Sequence, residues 1–311
     1  MQLNFRLLSV VTLTVFITFT ACKKDASEQQ QQQEPDQELN AHVLDQSFVS
    51  SGMDAATLDV NTALEMNSSF SGRIMGDSIC AATVVFDTLN SARKITITYN
   101  GADCGGFSSR SGNIVISMAA GVRWKNAGAQ INLTFNNFKI VRTRDQKSIT
   151  LNGTHTLTNV SGGLLRDLLG GRASVVHTIT SSNMSIKFDN NTQRSWQVAQ
   201  KRVYTLANGG TITITGTHTD GTQTNISEWG TDRFGQPFTT AITEPLIISA
   251  NCLFRLTSGQ VQHKRLAASA TATFGLDKNG NPTSCPASGS FYYKLAWTGP
   301  GGNTYTFIAP Y

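Results

Sequence analysis

From Gly72 onward the chain alternates apolar and polar residues almost without pause. Ile95-Thr96-Ile97-Thr98-Tyr99, Ile131-Asn132-Leu133-Thr134-Phe135 and Ile212-Thr213-Ile214-Thr215 each send apolar side chains to one face of an extended strand and Thr or Asn to the other. Short polar links at Asp145-Gln146-Lys147, Asp189-Asn190-Asn191, Asn208-Gly209-Gly210 and Asp277-Lys278-Asn279-Gly280 predict antiparallel hairpins. The runs over 129–144 and 174–188 exceed ten residues, a length that calls for bulges or a strongly curved sheet. The expected architecture is therefore all-β: a large antiparallel meander forming a curved sheet, sandwich or barrel-like body, with one short Leu-rich helix. Residues 71–311 read as a single β domain.

That helix is the one interruption. Gly162-Gly163-Leu164-Leu165-Arg166-Asp167-Leu168-Leu169-Gly170-Gly171 brackets Leu164, Leu165, Leu168 and Leu169, which share a helical face, with glycine pairs. It reads as a plug closing one end of the β core, or as a movable lid over an apolar cavity. Ile149-Thr150-Leu151-Asn152-Gly153-Thr154-His155-Thr156 recurs, at six of eight positions, as Ile212-Thr213-Ile214-Thr215-Gly216-Thr217-His218-Thr219. Two copies suit equivalent strands of successive hairpins; a solenoid needs at least three. Upstream, five consecutive glutamines, Gln29 to Gln33, and Pro35 mark 22–40 as a flexible tether. Residues 41–70 read as a weakly structured or helical lead-in after Asp54, with Leu58, Leu64 and Met66 as its apolar positions.

Composition supports the β reading. Thr, which suits a half-wet pleated surface, occurs 38 times, and charged residues make up only 14%. The formal charge is +5, with Lys23 and Lys24 outnumbered by Asp25, Glu28, Glu34, Asp36 and Glu38, so residues 41–311 carry +7. A basic surface suits an anionic glycan or headgroup, whereas the scattered Lys and Arg do not form a nucleic-acid footprint. Four cysteines follow Cys22. They allow three connectivities, of which Cys80 with Cys104 and Cys252 with Cys285 is favoured because each pair flanks neighbouring strands, each bridge adding roughly 3.5 kcal/mol in the chain-entropy model.

Candidate chemistry is sparse. His155, His177 and His218 fall on the apolar side of their alternating runs, where three imidazoles could meet at a metal or sit as hydrogen-bonded core residues. No Gly-x-Ser-x-Gly elbow occurs, and Ser91-Ala92-Arg93-Lys94 sits in a turn rather than opening a helix. Beyond Glu65 only Glu228 and Glu244 are glutamates, which does not suggest a paired-carboxylate glycosidase. Asp277-Lys278-Asn279-Gly280-Asn281 is explained by a turn. The best binding loop is Glu228-Trp229-Gly230-Thr231-Asp232-Arg233-Phe234, where Trp229, Arg233 and Phe234 offer stacking and charge. No residue pattern calls for a cofactor.

The first twenty-five residues say where the chain goes. Arg6, the apolar run 7–20, Ala21 and Cys22 form a processing segment too short to span a bilayer as a helix. Phe19-Thr20-Ala21-Cys22 resembles the lipobox of bacterial lipoproteins, keeping its last two positions and replacing the leading Leu with Phe19. With Cys22-Lys23-Lys24-Asp25 and the Gln-rich tether, it resembles the outer-membrane lipoproteins of Bacteroidota-type envelopes. The resemblance implies a signal peptide over 1–21, acyl chains on Cys22 that hold the protein to the membrane, and an outer-membrane address. Asp77-Ser78-Ile79 and Asp87-Thr88-Leu89 likewise resemble the O-glycosylation sequon of such proteins. The closing Tyr305-Thr306-Phe307-Ile308-Ala309-Pro310-Tyr311 has the terminal aromatic of outer-membrane barrels, but Pro310 suits a soluble edge strand. Three functions follow as expectations: a non-catalytic binding or structural domain that meets a glycan or another envelope protein, a carrier of an apolar ligand, or a metal-dependent hydrolase.

Overall fold

The computed structural model describes residues 26–71, 78–89, 92–265, 268–285, 289–298 and 304–311. The leader and Cys22 lie outside the described residues, as does Asp77 of the first sequon. A long helix, α1 (Ala26–Met66), is followed by the four-residue α2 (Ser68–Ser71) and then by strands. The first seven, β1 (Ala82–Asp87), β2 (Ala92–Ala102), β3 (Ser108–Ala119), β4 (Ala129–Arg142), β5 (Ser148–Asn159), β6 (Val175–Phe188) and β7 (Gln193–Thr205), pair in sequence order. Next come β8 (Thr211–Gly216), β9 (His218–Asp220) and β10 (Gln223–Thr231). The sheet closes its run with β11 (Pro237–Ser249), β12 (Arg255–Arg265), β13 (Ala268–Leu276), β14 (Tyr292–Thr298) and β15 (Thr304–Pro310).

All fifteen strands among the described residues belong to one antiparallel sheet. β8 and β10 share the slot between β7 and β11, β8 pairing with one half of each and β10 with the other. β9 pairs only with β10, which makes residues 217–222 an excursion from that slot. The expected meander is present, with its long strands bent at bulges. Register shifts fall at Gly112 of β3, at residues 136–137 of β4, at Gly153 of β5 and between Thr180 and Met184 of β6. They form a crease across four neighbouring strands. Gly112 has φ +83°, and a Cβ there would lie 2.1 Å from the Asn137 carbonyl oxygen. Asn137 itself is left-handed, at φ +48°. Such kinks curl the sheet.

The curl holds α1. The rise of an α-helix makes 41 residues about 60 Å long. Between Glu38 and Met66 only Ser51 and Ala55 are exposed, so the sheet covers this stretch on nearly every side. Val49, Met53, Ala56, Val60 and Leu64 pack with Ile97, Ile116, Leu133 and Leu151 in one part of the core. Leu39 and Val43 pack with Ile242, Val261 and Tyr293 in the other. The helix thus takes in most of 22–40, read above as tether, and nearly all of the lead-in. Gln, Glu, Ala and Leu are good helix formers, and enclosure by the sheet supplies the packing that an isolated helix lacks.

Two disulfides pin the sheet, Cys80–Cys104 beside the β1–β3 hairpins and Cys252–Cys285 beyond β11 and β13, with Cα separations of 5.4 and 5.3 Å. The Leu-rich segment contains a 3-10 turn, Leu165–Leu168, rather than an α-helix.

Candidate functional site

The unusual chemistry lies where α1 meets the inner face of the sheet. From Ala26 to Met66 the helix has eight acidic residues and no Lys or Arg. The inner faces of the strands answer with arginines. Arg110 of β3 pairs with Asp59 at 2.5 Å, and the Tyr99 hydroxyl donates to the same carboxylate at 3.1 Å. Arg202 of β7 pairs with Asp54 at 2.6 Å and also donates to Gln200 Oε1 at 2.9 Å. Arg233, in the β10–β11 turn, forks onto Asp45, its Nε 2.6 Å from Oδ2. Arg265 at the end of β12 reaches Glu38 at 2.8 Å and Asp232 at 2.7 Å. Glu65, the remaining acid of the enclosed stretch, accepts the Leu165 N–H at 2.7 Å. Burial lifts Asp45, Asp54 and Asp59 above the ordinary carboxylate range, and the paired arginines offset part of that lift.

At mid-length sits Glu228 of β10. Its carboxylate accepts from Trp196 Nε1 at 2.6 Å, the Ser50 hydroxyl at 3.1 Å and Gln200 Nε2 at 3.3 Å. Burial pushes its pKa up to about 7, against the pull of Arg194. Arg194 is itself buried over the rings of Phe188 and Phe238, and burial brings its guanidinium down to about 10. Asp54, His155, Trp196, Arg202 and Glu228 line a cavity of about 10 Å³. That is space for about one water molecule.

Four histidines are buried in this interior. His155 lies between Phe135 and Trp196 at ring separations of 5.2 and 5.5 Å, and His177 between Trp124 and Tyr204 at 5.0 and 4.9 Å. His42 of α1 meets Phe238 at 4.6 Å and His263 of β12 at 5.6 Å, and Thr240 Oγ1 is 3.0 Å from His263 Nδ1. Burial, reinforced by nearby arginines, lowers His155, His177 and His263 to about 3 and His42 well below its usual value. All four are neutral imidazoles at neutral pH.

The expected trio of His155, His177 and His218 does not share an inner face. His155 and His177 do point inward, but His218 begins β9, outside the slot, and stacks on Trp229 at 4.1 Å. The strand that carries its repeat breaks at Gly216, where a Cβ would lie 2.0 Å from the Asn225 carbonyl oxygen. Among the described residues no three His, Cys, Asp or Glu side chains gather as a metal site. The proposed binding loop also divides. Trp229 lies within β10 on the outer face opposite Gln197 and Thr239, because pairing with β7 and β11 extends this stretch. Arg233 turns inward to Asp45, 4.0 Å from the Phe188 ring, while Phe234 remains exposed at the turn. In the Leu-rich segment Leu164 and Leu168 are buried, Leu165 is half-buried against the core and Leu169 faces solvent.

Neither alternation nor motif pointed to His42, His263 or the arginine clamps. Their signal was charge segregation between residues 26–66 and the strands. No protein-family model matches this chain, and neither a curated protein nor a solved structure matches it.

Proposed function

We propose that this protein is a lipid-anchored lipoprotein of the bacterial outer membrane, held by acyl chains on Cys22, and that its β body is a non-catalytic binding or structural module. The observation that carries the second half is the filled interior. The volume inside the curled sheet is taken by α1, which is clamped by Arg110, Arg202, Arg233 and Arg265, and the cavity beside Glu228 has room for about one water. A carrier of an apolar molecule needs several hundred Å³ lined mainly by apolar side chains. The cavity here is far smaller, and its lining includes Asp54, Arg202 and Glu228. The anchor rests on Phe19-Thr20-Ala21-Cys22 and on the polar stretch after it.

Two measurements test the reading. Growth on labelled palmitate tags the wild-type chain and leaves Cys22→Ser untagged; equal labelling of both removes the anchor. Titration of the purified protein with an apolar fluorescent dye gives no saturable binding, and a stoichiometric, displaceable dye complex overturns the non-carrier assignment.

A further inference from the structure

The strands run between two ends of the curled sheet, and their exposed apolar side chains gather at one of them. The end formed by the β1–β2, β3–β4, β5–β6, β7–β8, β11–β12 and β13–β14 connections carries, besides Leu89 on β1–β2 and Val160 on β5–β6, a group made of Leu169 (75% exposed), Leu206 (47%), Leu253 (71%) and Phe254 (50%). These four sit on three consecutive hairpin connections, since β6 pairs with β7, β7 with β8 and β8 with β11. Two strand spacings place neighbouring tips about 10 Å apart, so the knobs span about 20 Å. Among the described residues, the connections at the opposite end expose two large apolar side chains, Phe107 and Phe234.

The Leu253–Phe254 tip is held in place from below. Both residues are left-handed, at φ +57° and +55°, a conformation that bulky side chains rarely adopt. Cys252 beneath them is buried and bonded to Cys285. The Phe254 N–H donates to the Ser249 carbonyl at 3.0 Å, and Asn251 Nδ2 donates to the Asn208 carbonyl of the next connection at 2.9 Å. A backbone fixed in this way, with two large apolar side chains turned to solvent, points to an interaction site.

Charge selects the occupant. The same connections expose Arg123, Lys125, Arg172 and Lys278. The two acids there, Asp167 and Asp277, accept backbone N–H groups of their own turns. The four turns described at the far end, by contrast, hold three bases (Arg144, Lys147, Arg233) and four acids (Asp103, Asp145, Asp189, Asp232). Projecting apolar knobs set among cations match the boundary of an anionic bilayer, where aliphatic and Phe side chains enter the acyl edge and Arg and Lys meet phosphate. We infer that this rim docks on an anionic lipid surface through Leu169, Leu206, Leu253 and Phe254. α1 runs the other way, with Glu38 at the β10–β11 turn and Glu65 at Leu165. Its N-terminus therefore leaves the body at the end opposite the rim, so an acyl anchor on Cys22 and the rim would engage two different surfaces.

The test adds the purified full-length chain to preformed vesicles of phosphatidylglycerol and phosphatidylcholine that carry a lipid with a photoreactive acyl chain. Cross-links are expected on peptides containing Leu169, Leu206 and Leu253–Phe254. Leu253→Asp with Phe254→Asp reduces them at least about tenfold, as does high salt, while the unfolding midpoint holds. Leu206→Asp, in a different connection, gives a second, smaller loss. Cross-links confined to the N-terminal peptide, undiminished labelling of the variants, equal labelling in pure phosphatidylcholine, or protection of 250–255 by another polypeptide in whole cells each overturns the inference. Labelling of the rim does not depend on acylation, so failure of the palmitate experiment and failure of this one are separate results.

Discussion

Replacing Asp54 with Ala isolates what one arginine clamp contributes. Arg202 is 4% exposed and Asp54 19%, and the guanidinium lies 2.6 Å from Asp54 Oδ1 with Gln200 Oε1 as its other acceptor. Removing the carboxylate leaves a buried cation with one neutral partner, a defect that costs about 3–5 kcal/mol. The partial exposure of Asp54 puts the value at the lower end, about 3 kcal/mol. For a body of this size that lowers the thermal midpoint by about 6–12 °C. Arg202→Met should cost less, because the orphaned Asp54 regains some water, and Asp54→Ala with Arg202→Met should cost well under the sum of the two. Urea unfolding followed by circular dichroism on all four proteins closes the cycle. A cost below about 1 kcal/mol for Asp54→Ala, or a double variant as unstable as the sum of the singles, would refute the claim that these pairs hold the helix in the sheet. Asp145→Ala, which breaks the solvent-facing pair with Arg142 in the β4–β5 turn, is the control and should cost under about 1 kcal/mol.

Acid should loosen the interior through its imidazoles. Folded His155, His177 and His263 titrate near 3, below the unfolded value, so their contribution is complete above about pH 6.5 and is lost as pH falls toward 3; a thermal midpoint unchanged between pH 7 and 4.5 contradicts this. Glu228 acts in the opposite sense: its folded pKa of about 7 exceeds the unfolded value, so its contribution is complete below about pH 4.5 and is lost as pH rises through 7. Glu228→Gln should therefore remove a downward contribution to stability between about pH 4.5 and 7, and a variant with the wild-type slope there refutes the assignment to Glu228. Gly112→Ala drives a methyl into the Asn137 carbonyl at φ +83° and should cost about 2 kcal/mol or more by urea denaturation; a neutral effect would mean that the crease is not rigid. Cys252→Ser with Cys285→Ser opens a 33-residue span and should lower stability by about 3.5 kcal/mol under oxidising conditions, with no difference from wild type under full reduction.

What could be read from sequence divides along a physical line. Strands such as 131–135 and 212–215 face the core on one side and water on the other, so burial writes itself into the sequence with period two. The same geometry made both disulfide pairings legible, because each joins segments flanking adjacent hairpins. The central helix obeys no such rule. A helix shows a 3.6-residue stripe only when one face is buried and the other wet, and α1 has the sheet around nearly its whole circumference from Glu38 to Met66. Nor did it show as a uniformly apolar segment, since Asp45, Asp54 and Asp59 are carried inward with their arginines. Its mark was electrostatic. Residues 26–66 hold eight acids and no base, while 67–311 hold twenty-two bases and eleven acids. A boundary drawn at residue 40 splits that block and hides it; one drawn at the last helical residue exposes two complementary charged bodies in a single chain. His218 fails for a related reason. Alternation along 212–219 predicts an inward imidazole, but the break at Gly216 carries the chain out of the slot before the histidine is reached, and periodicity has no memory across such a break. The order of construction follows: the hairpins are specified locally by period and turn, and the curl is closed by long-range charge pairs that no local window contains. Disrupting the clamps should therefore release the helix before the sheet, with amides of residues 38–66 exchanging ahead of those in β4–β7.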